Sequence, residues 1–174
     1  MLQFQGKRII TIYSGEFYTT TDPSLVIYTL LGSCIAVCLY DEERSIGGMN
    51  HFMLPQAKEA RIQSGRFGKQ SMEAMISRLL RQGAVFSALR AKIFGGARML
   101  DTQNPEIDIA GANIQFILEF MDSRKIPIVA RDLGGTTGRK IYYELENNRV
   151  FLQRISNFEE SRGEAGGFDG RGRD

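Results

Sequence analysis

The sequence predicts an α/β protein of the α+β kind, a mixed sheet or sandwich packed by helices. Three observations carry that expectation. Apolar runs of strand length recur from Lys7 to Ile155. Only two segments have helical periodicity, and they are spaced irregularly among the strands. Short hairpin connections lie toward both ends of the chain, which argues against a doubly wound parallel sheet.

The elements follow in order. Lys7 to Tyr13 (KRIITIY) reads as a strand, rich in β-branched residues. Ser24 to Leu31 reads as a second strand, closed by a turn at Leu31-Gly32-Ser33. Ile35 to Tyr40 (IAVCLY) is a third, ended by Asp41-Glu42-Glu43. Ile46 to Leu54 (IGGMNHFML) is a fourth, stopped by Pro55. Asp41 to Ser45 is a connection of hairpin length, so the third and fourth strands can lie side by side. Gln56 to Phe67 is polar and reads as a loop. Lys69 to Gln82 is the clearest helix: Met72, Met75, Ile76, Leu79 and Leu80 share one face and Gly83 ends it. Leu89 to Phe94 is a strand ending at Gly95-Gly96. Asp101 to Asp108 is a polar loop, and a second helix runs from Ala110 to Ser123. Ile126 to Ala130 is a strand, and Arg139 to Leu145 with Arg149 to Ile155 forms a last hairpin.

Residues 1–156 are thus expected to be one domain, a size that buries a sizeable core unaided. From Asn157 to Asp174 the composition changes to five glycines and eight charges with three apolar residues. Such a segment cannot bury enough surface to offset its ordering entropy and is expected to be a disordered tail.

Composition excludes several function classes. The net charge is +2, from 22 Lys+Arg against 20 Asp+Glu, and the basic residues are scattered, so a nucleic-acid partner is not expected. The N-terminus lacks the order of a signal peptide, with its charges after the first apolar residues. Pro23 to Tyr40 carries no charge, but Gly32-Ser33 interrupts it, and two buried strands explain it better than a membrane span. The expected setting is therefore a reducing cytoplasm, with no membrane insertion.

The chain holds two cysteines, Cys34 and Cys38, and one histidine, His51. On a strand the two thiols are about 13 Å apart at roughly 3.3 Å per residue, too far for a disulfide or a shared metal. No metal or organic cofactor is expected. Cys38, between Val37 and Leu39, reads as a small buried hydrophobe. Cys34 follows Gly32-Ser33 at the mouth of a strand, where it can be reached and where backbone N–H groups gather. A nucleophilic thiol needs a neighbouring base, and His51 on the adjoining strand is the one imidazole available. The plainer alternative is two residues accommodated in a core. The Gly95-Gly96-Ala97 and Gly134-Gly135-Thr136-Thr137-Gly138-Arg139-Lys140 segments match neither a phosphate-binding loop, since Lys140 does not follow a glycine and no Ser/Thr comes after it, nor a dinucleotide fingerprint, and read as turn and close-packing glycines.

Several blocks together resemble the chemoreceptor glutamine deamidase family, CheD. They are Thr29-Leu30-Leu31-Gly32-Ser33-Cys34, Gly47-Gly48-Met49-Asn50-His51-Phe52-Met53-Leu54-Pro55, Gly65-Arg66-Phe67-Gly68, Ala91-Lys92-Ile93-Phe94-Gly95-Gly96-Ala97, and Asp132-Leu133-Gly134-Gly135 with Gly138-Arg139-Lys140. The resemblance implies a mixed β-sandwich flanked by helices, similar to the catalytic domain of cytotoxic necrotizing factor toxins. It implies a Cys-His-Thr thiol mechanism that hydrolyses glutamine side-chain amides of chemoreceptor cytoplasmic domains to glutamate in chemotaxis adaptation. By residue, Cys34 resembles the nucleophile, His51 the general base and Thr29 the residue that orients the imidazole. The backbone N–H groups of Ser33 and Cys34 are the oxyanion candidates. The family's response-regulator phosphatase partner, CheC, is implied as a further partner, and the free protein as a monomer. A mainly non-catalytic regulator of that phosphatase, or a small-molecule amidase or thiol esterase on the same three residues, are the competing functions.

Overall fold

The computed structural model describes residues 4–53, 68–99 and 108–155. Nine strands and two long helices occur there: β1 Arg8–Thr11, β2 Phe17–Thr20, β3 Leu25–Leu31, β4 Ile35–Asp41, β5 Ile46–Phe52, α1 Gly68–Arg81, β6 Leu89–Gly95, α2 Ile109–Arg124, β7 Ile128–Leu133, β8 Gly138–Glu144 and β9 Arg149–Ile155. The strands form two sheets, a four-stranded one in the order β1-β3-β8-β9 and a five-stranded one in the order β2-β5-β4-β6-β7. Each is mixed. β1 runs parallel to β3 and β6 parallel to β7, while the remaining pairs are antiparallel. The expected mixed α+β architecture is therefore present.

Strand periodicity sorts the core into two layers. One face of β4 sends Ala36, Cys38 and Tyr40 between the sheets, where they meet Ile27 and Leu31 of β3, Met49 of β5 and Ile141 and Tyr143 of β8. The other face sends Ile35, Val37 and Leu39 against Met72, Met75 and Leu79 of α1 and Ile117 and Met121 of α2. β4 is buried along its whole length because it is central in its sheet and covered on both faces. Both helices thus cover the five-stranded sheet, and the layers run sheet, sheet, helices.

Most predicted elements fall within one or two residues of their expected bounds. Two do not. β2 was not expected: FYTT is short and follows Gly15, and its strand character comes from pairing with β5, Phe17 opposite Asn50 and Thr20 opposite Gly47. β7 begins and ends later than the expected Ile126 to Ala130, because the chain leaving α2 pairs with β6 only from Ile128. The turn at Gly32-Ser33 also does more than reverse the chain. It carries the backbone from the four-stranded sheet to the five-stranded one. The loops expected at Gln56 to Phe67 and from Asp101 to residue 107, and the tail from Asn157, lie outside the described residues.

Asn50 shows how tightly the strand before the site is fixed. Fully buried on β5, its Oδ1 accepts from the Val37 N–H and its Nδ2 donates to Ser71 Oγ of α1 at 3.0 Å. Both ends of the amide are used, so a polar group in the core carries little desolvation cost.

Candidate active site

The crossover from β3 to β4 builds the site. β4 and β5 are joined as the expected hairpin, with Ala36 opposite His51. Cys34 is two residues before Ala36, so it occupies the position diagonal to His51 on the same face. Thr29 of β3 faces them from the other sheet. It lies between the inward residues Ile27 and Leu31 and is fully buried. All three side chains line one cavity of about 680 Å³ together with Ser14, Tyr28, Met53 and Met99.

His51 is fixed at both its backbone and its ring. The segment between β1 and β2 clamps the backbone: the Gly15 N–H donates to His51 O and the His51 N–H donates to Glu16 O, at 2.8 and 3.0 Å. At the ring, Nδ1 lies 2.8 Å from Thr29 Oγ1. The Thr29 hydroxyl has one proton, and it goes to the Ile12 carbonyl at 2.8 Å. Thr29 therefore accepts from the imidazole, which must carry its proton on Nδ1. That leaves Nε2 with a bare lone pair, and this atom is buried without a hydrogen-bond partner among the described residues.

Burial sets the charge state. His51 is 6% exposed, and the desolvation pushes its pKa down to about 4. Burial likewise pushes the Cys34 thiol up, and a hydrogen bond with Ser14 draws it partly back. Both shifts favour the uncharged form, thiol on Cys34 and neutral imidazole on His51. Cys38 is wholly buried between the sheets and its thiol is pushed up further by the same cause.

The low His51 pKa has a stability consequence of definite sign. The ordinary value is 6.5, so as pH falls below 6.5 the unfolded chain takes up a proton that the folded protein refuses until about pH 4. Stability from this group is full above pH 6.5 and is lost as pH falls toward 4, in total about 3 kcal/mol. Urea unfolding at pH 7.5 and 4.5 is expected to show this loss in the wild-type protein and not in His51→Gln.

The loop that carries Cys34 is held from one side. Gly32 O accepts from the Ala97 N–H, Ser33 O from Asn113 Nδ2 and Cys34 O from the Gly96 N–H, each at 2.9 Å. All peptide bonds here are trans, so the N–H of each unit points opposite to its carbonyl. The Ser33 and Cys34 N–H groups therefore point away from the β6 and α2 side. The Gly96 and Ala97 N–H groups are spent on this task, which fits the reading of Gly95-Gly96-Ala97 as close-packing backbone. Gly95 has φ +117°, and a Cβ there would stand 2.1 Å from Cys34 O. Gly95→Ala is expected to cost roughly 3 kcal/mol or more. Gly134→Ala, at φ +81° with open space around the added carbon, is expected to cost only about 1 kcal/mol. Urea unfolding of the two variants checks the contrast.

Ser14, the Ile12 carbonyl and Asn113 also serve this site, and sequence reasoning assigned them no role in it. No local pattern marks them, since each reaches the site through a long-range contact. Among the described residues there is no group of three potential metal ligands, and no helix is long and apolar enough to cross a membrane.

Two strands from different sheets and one crossover loop thus bring a half-buried thiol, a buried imidazole and a buried hydroxyl to one cavity, the groups that thiol-dependent hydrolases use. Comparison with known proteins identifies the family. A family model described as CheD chemotactic sensory transduction matches residues 53–154. A probable chemoreceptor glutamine deamidase CheD 1 of Ruegeria sp. (strain TM1040) is 39% identical over 140 residues, 80% of this chain and 73% of the relative. Its namesake in Geobacter sulfurreducens is 40% identical over 163 residues, 88% of this chain and 80% of the relative. That in Anaeromyxobacter dehalogenans is 34% identical over 150 residues, 86% of each chain. The chain belongs to the CheD family. The family model's match begins just beyond His51 and does not include Thr29, Cys34 or His51. Among solved structures, the Bacillus licheniformis hypothetical protein YfiH is similar at a TM-score of 0.38 and 17% identity, covering 74% of this chain and 60% of that one.

Proposed function

We propose that this protein is a protein-glutamine deamidase that converts glutamine side chains of chemoreceptor cytoplasmic domains to glutamate. The observation that carries the reading is the Thr29–His51 hydrogen bond, which leaves a bare, buried Nε2 in the same cavity as the Cys34 thiol. The names of the relatives supply the substrate class.

In this reading His51 Nε2 takes the Cys34 proton as sulfur attacks the glutamine side-chain carbonyl. The Ser33 and Cys34 N–H groups hold the oxyanion, each such donor being worth roughly 10²–10³ in rate. The imidazolium returns the proton to the departing amide nitrogen, which leaves as ammonia, and a thioester remains. Water, deprotonated by the same Nε2, hydrolyses the thioester to glutamate and restores the thiol. No cofactor enters the cycle. The finer fold kinship, to the catalytic domain of cytotoxic necrotizing factor toxins, belongs to this reading, as do a cytoplasmic location, a monomeric free protein, a single domain over 1–156, and a CheC-type phosphatase as a second partner.

Incubation with a receptor cytoplasmic fragment tests the reading. Each converted glutamine gains about 1 Da and releases one ammonia. A fragment whose mass does not change, with a protein that still binds it, would favour the non-catalytic regulator instead. Thr29→Val keeps the shape but removes the acceptor of the Nδ1 proton. It is expected to lower kcat by about 10- to 100-fold, less than loss of the imidazole, because the wrong tautomer is then accessible. Thr29→Ser is expected to recover most of the rate.

A further inference from the structure

Arg139 is the largest fully buried side chain of the described residues, 1% exposed, and the mechanism above does not use it. It sits on β8 directly opposite Leu31, the last residue before the Cys34 crossover. Its parity along β8 is that of Ile141 and Tyr143, so it enters the space between the sheets. There its Nε donates to Asp132 Oδ1 at 2.7 Å, its Nη2 to Gly134 O at 2.6 Å and its Nη1 to Thr137 O at 3.3 Å. The guanidinium therefore ties the four-stranded sheet to the end of β7 at the point where the chain itself crosses.

The tie continues to the thiol. The Gly134 N–H donates to Gly95 O and the Arg98 N–H to Gly135 O, at 2.9 and 2.8 Å. Gly96 in turn donates to Cys34 O and Ala97 to Gly32 O. Every link from Gly134 to Cys34 is backbone, so the guanidinium is the side chain on which the chain of contacts is anchored. A buried guanidinium is costly unless its fork is filled, and this one spends its donors on the end of β7 and the turn after it, where Arg154 Nη2 also donates to Asp132 Oδ2 from the exposed side.

We propose that Arg139 is a positioning residue for Cys34: through the Gly134–Gly95 and Gly96–Cys34 hydrogen bonds it sets where the thiol stands relative to His51. The inference rests on the deamidase reading above. Lysine can supply one point contact but not the fork, so Arg139→Lys is expected to lower kcat by about tenfold or more while KM stays within about twofold, as a misplacement near 1 Å does.

The decisive readout is alkylation by iodoacetamide, followed by intact mass. In Arg139→Lys the loosened loop makes Cys34 alkylate several-fold faster than in the wild-type protein, while buried Cys38 stays unlabelled. General destabilisation would label both thiols. If Arg139→Lys does not fold, Asp132→Asn decides, since it keeps the shape of the guanidinium's partner and removes its charge. It is expected to show the same signature at smaller amplitude. Wild-type kcat and wild-type Cys34 labelling in a folded variant would overturn the proposal, as would labelling of Cys34 and Cys38 together. Cys34→Ala assayed in parallel separates the two readings: residual wild-type activity there removes the deamidase mechanism, whereas a dead Cys34→Ala beside a fully active Arg139→Lys removes only the positioning role.

Discussion

A Cys34→Ala variant is expected to convert no receptor glutamine in the time the wild-type protein completes many turnovers. The loss is expected to be at least about 10³-fold, because without sulfur there is no covalent intermediate and the remaining groups only bind and polarise. The fold should survive. Cys34 lies at a half-buried loop position, and its backbone carbonyl bond to Gly96 does not involve the side chain. Cys38 cannot stand in, since it is wholly buried and faces the intersheet core. Mass measurement of the receptor fragment, with circular dichroism of the variant, reads both halves of the expectation. Cys38→Ala is the matching control. It is expected to leave the chemistry intact and to cost stability through a small cavity.

His51→Gln is expected to lower kcat/KM by about 10³-fold or more, in the upper range for general acid–base groups. The shape of the pH dependence is the sharper test. Because burial holds His51 neutral down to about pH 4 and holds the Cys34 thiol above its ordinary range, wild-type kcat/KM should be level from about pH 5 to 8. An acid limb centred near 6.5 would mean a solvated imidazole and would overturn the buried neutral pair. In His51→Gln the residual rate should climb about tenfold per pH unit, since only solvent-generated thiolate is left to react. The chain has no other histidine to blur the comparison.

Much of this site was legible before the structure. The hairpin of β4 and β5 follows from two apolar runs around Asp41 to Ser45, and it places His51 beside the strand that Cys34 opens. The roles of Cys34, His51 and Thr29 were expected from the family resemblance, and the three side chains do meet in one cavity. What was hidden is long-range. Gly32-Ser33 reads as a turn, but whether a turn joins neighbours in one sheet or carries the chain between two is decided by partners far away in sequence. Thr29 meets His51 because of that crossing, and no spacing rule encodes it. β2 was hidden because four residues with mixed polarity have no period to detect. Arg139 closes a glycine-rich block, and an arginine after glycine reads as a solvated charge until its burial is known.

The Thr29 to Ile12 hydrogen bond fixes an uncommon tautomer, and His51 is alone in the chain. In nitrogen-detected magnetic resonance the whole protein therefore presents a single imidazole, with one pyrrole-type and one pyridine-type signal. The pyridine-type signal belongs to Nε2, the ring atom left without a hydrogen-bond partner among the described residues. Following that one resonance as substrate, inhibitor or acid is added reports proton movement at the atom proposed as the base, without isotopic editing to remove other histidines.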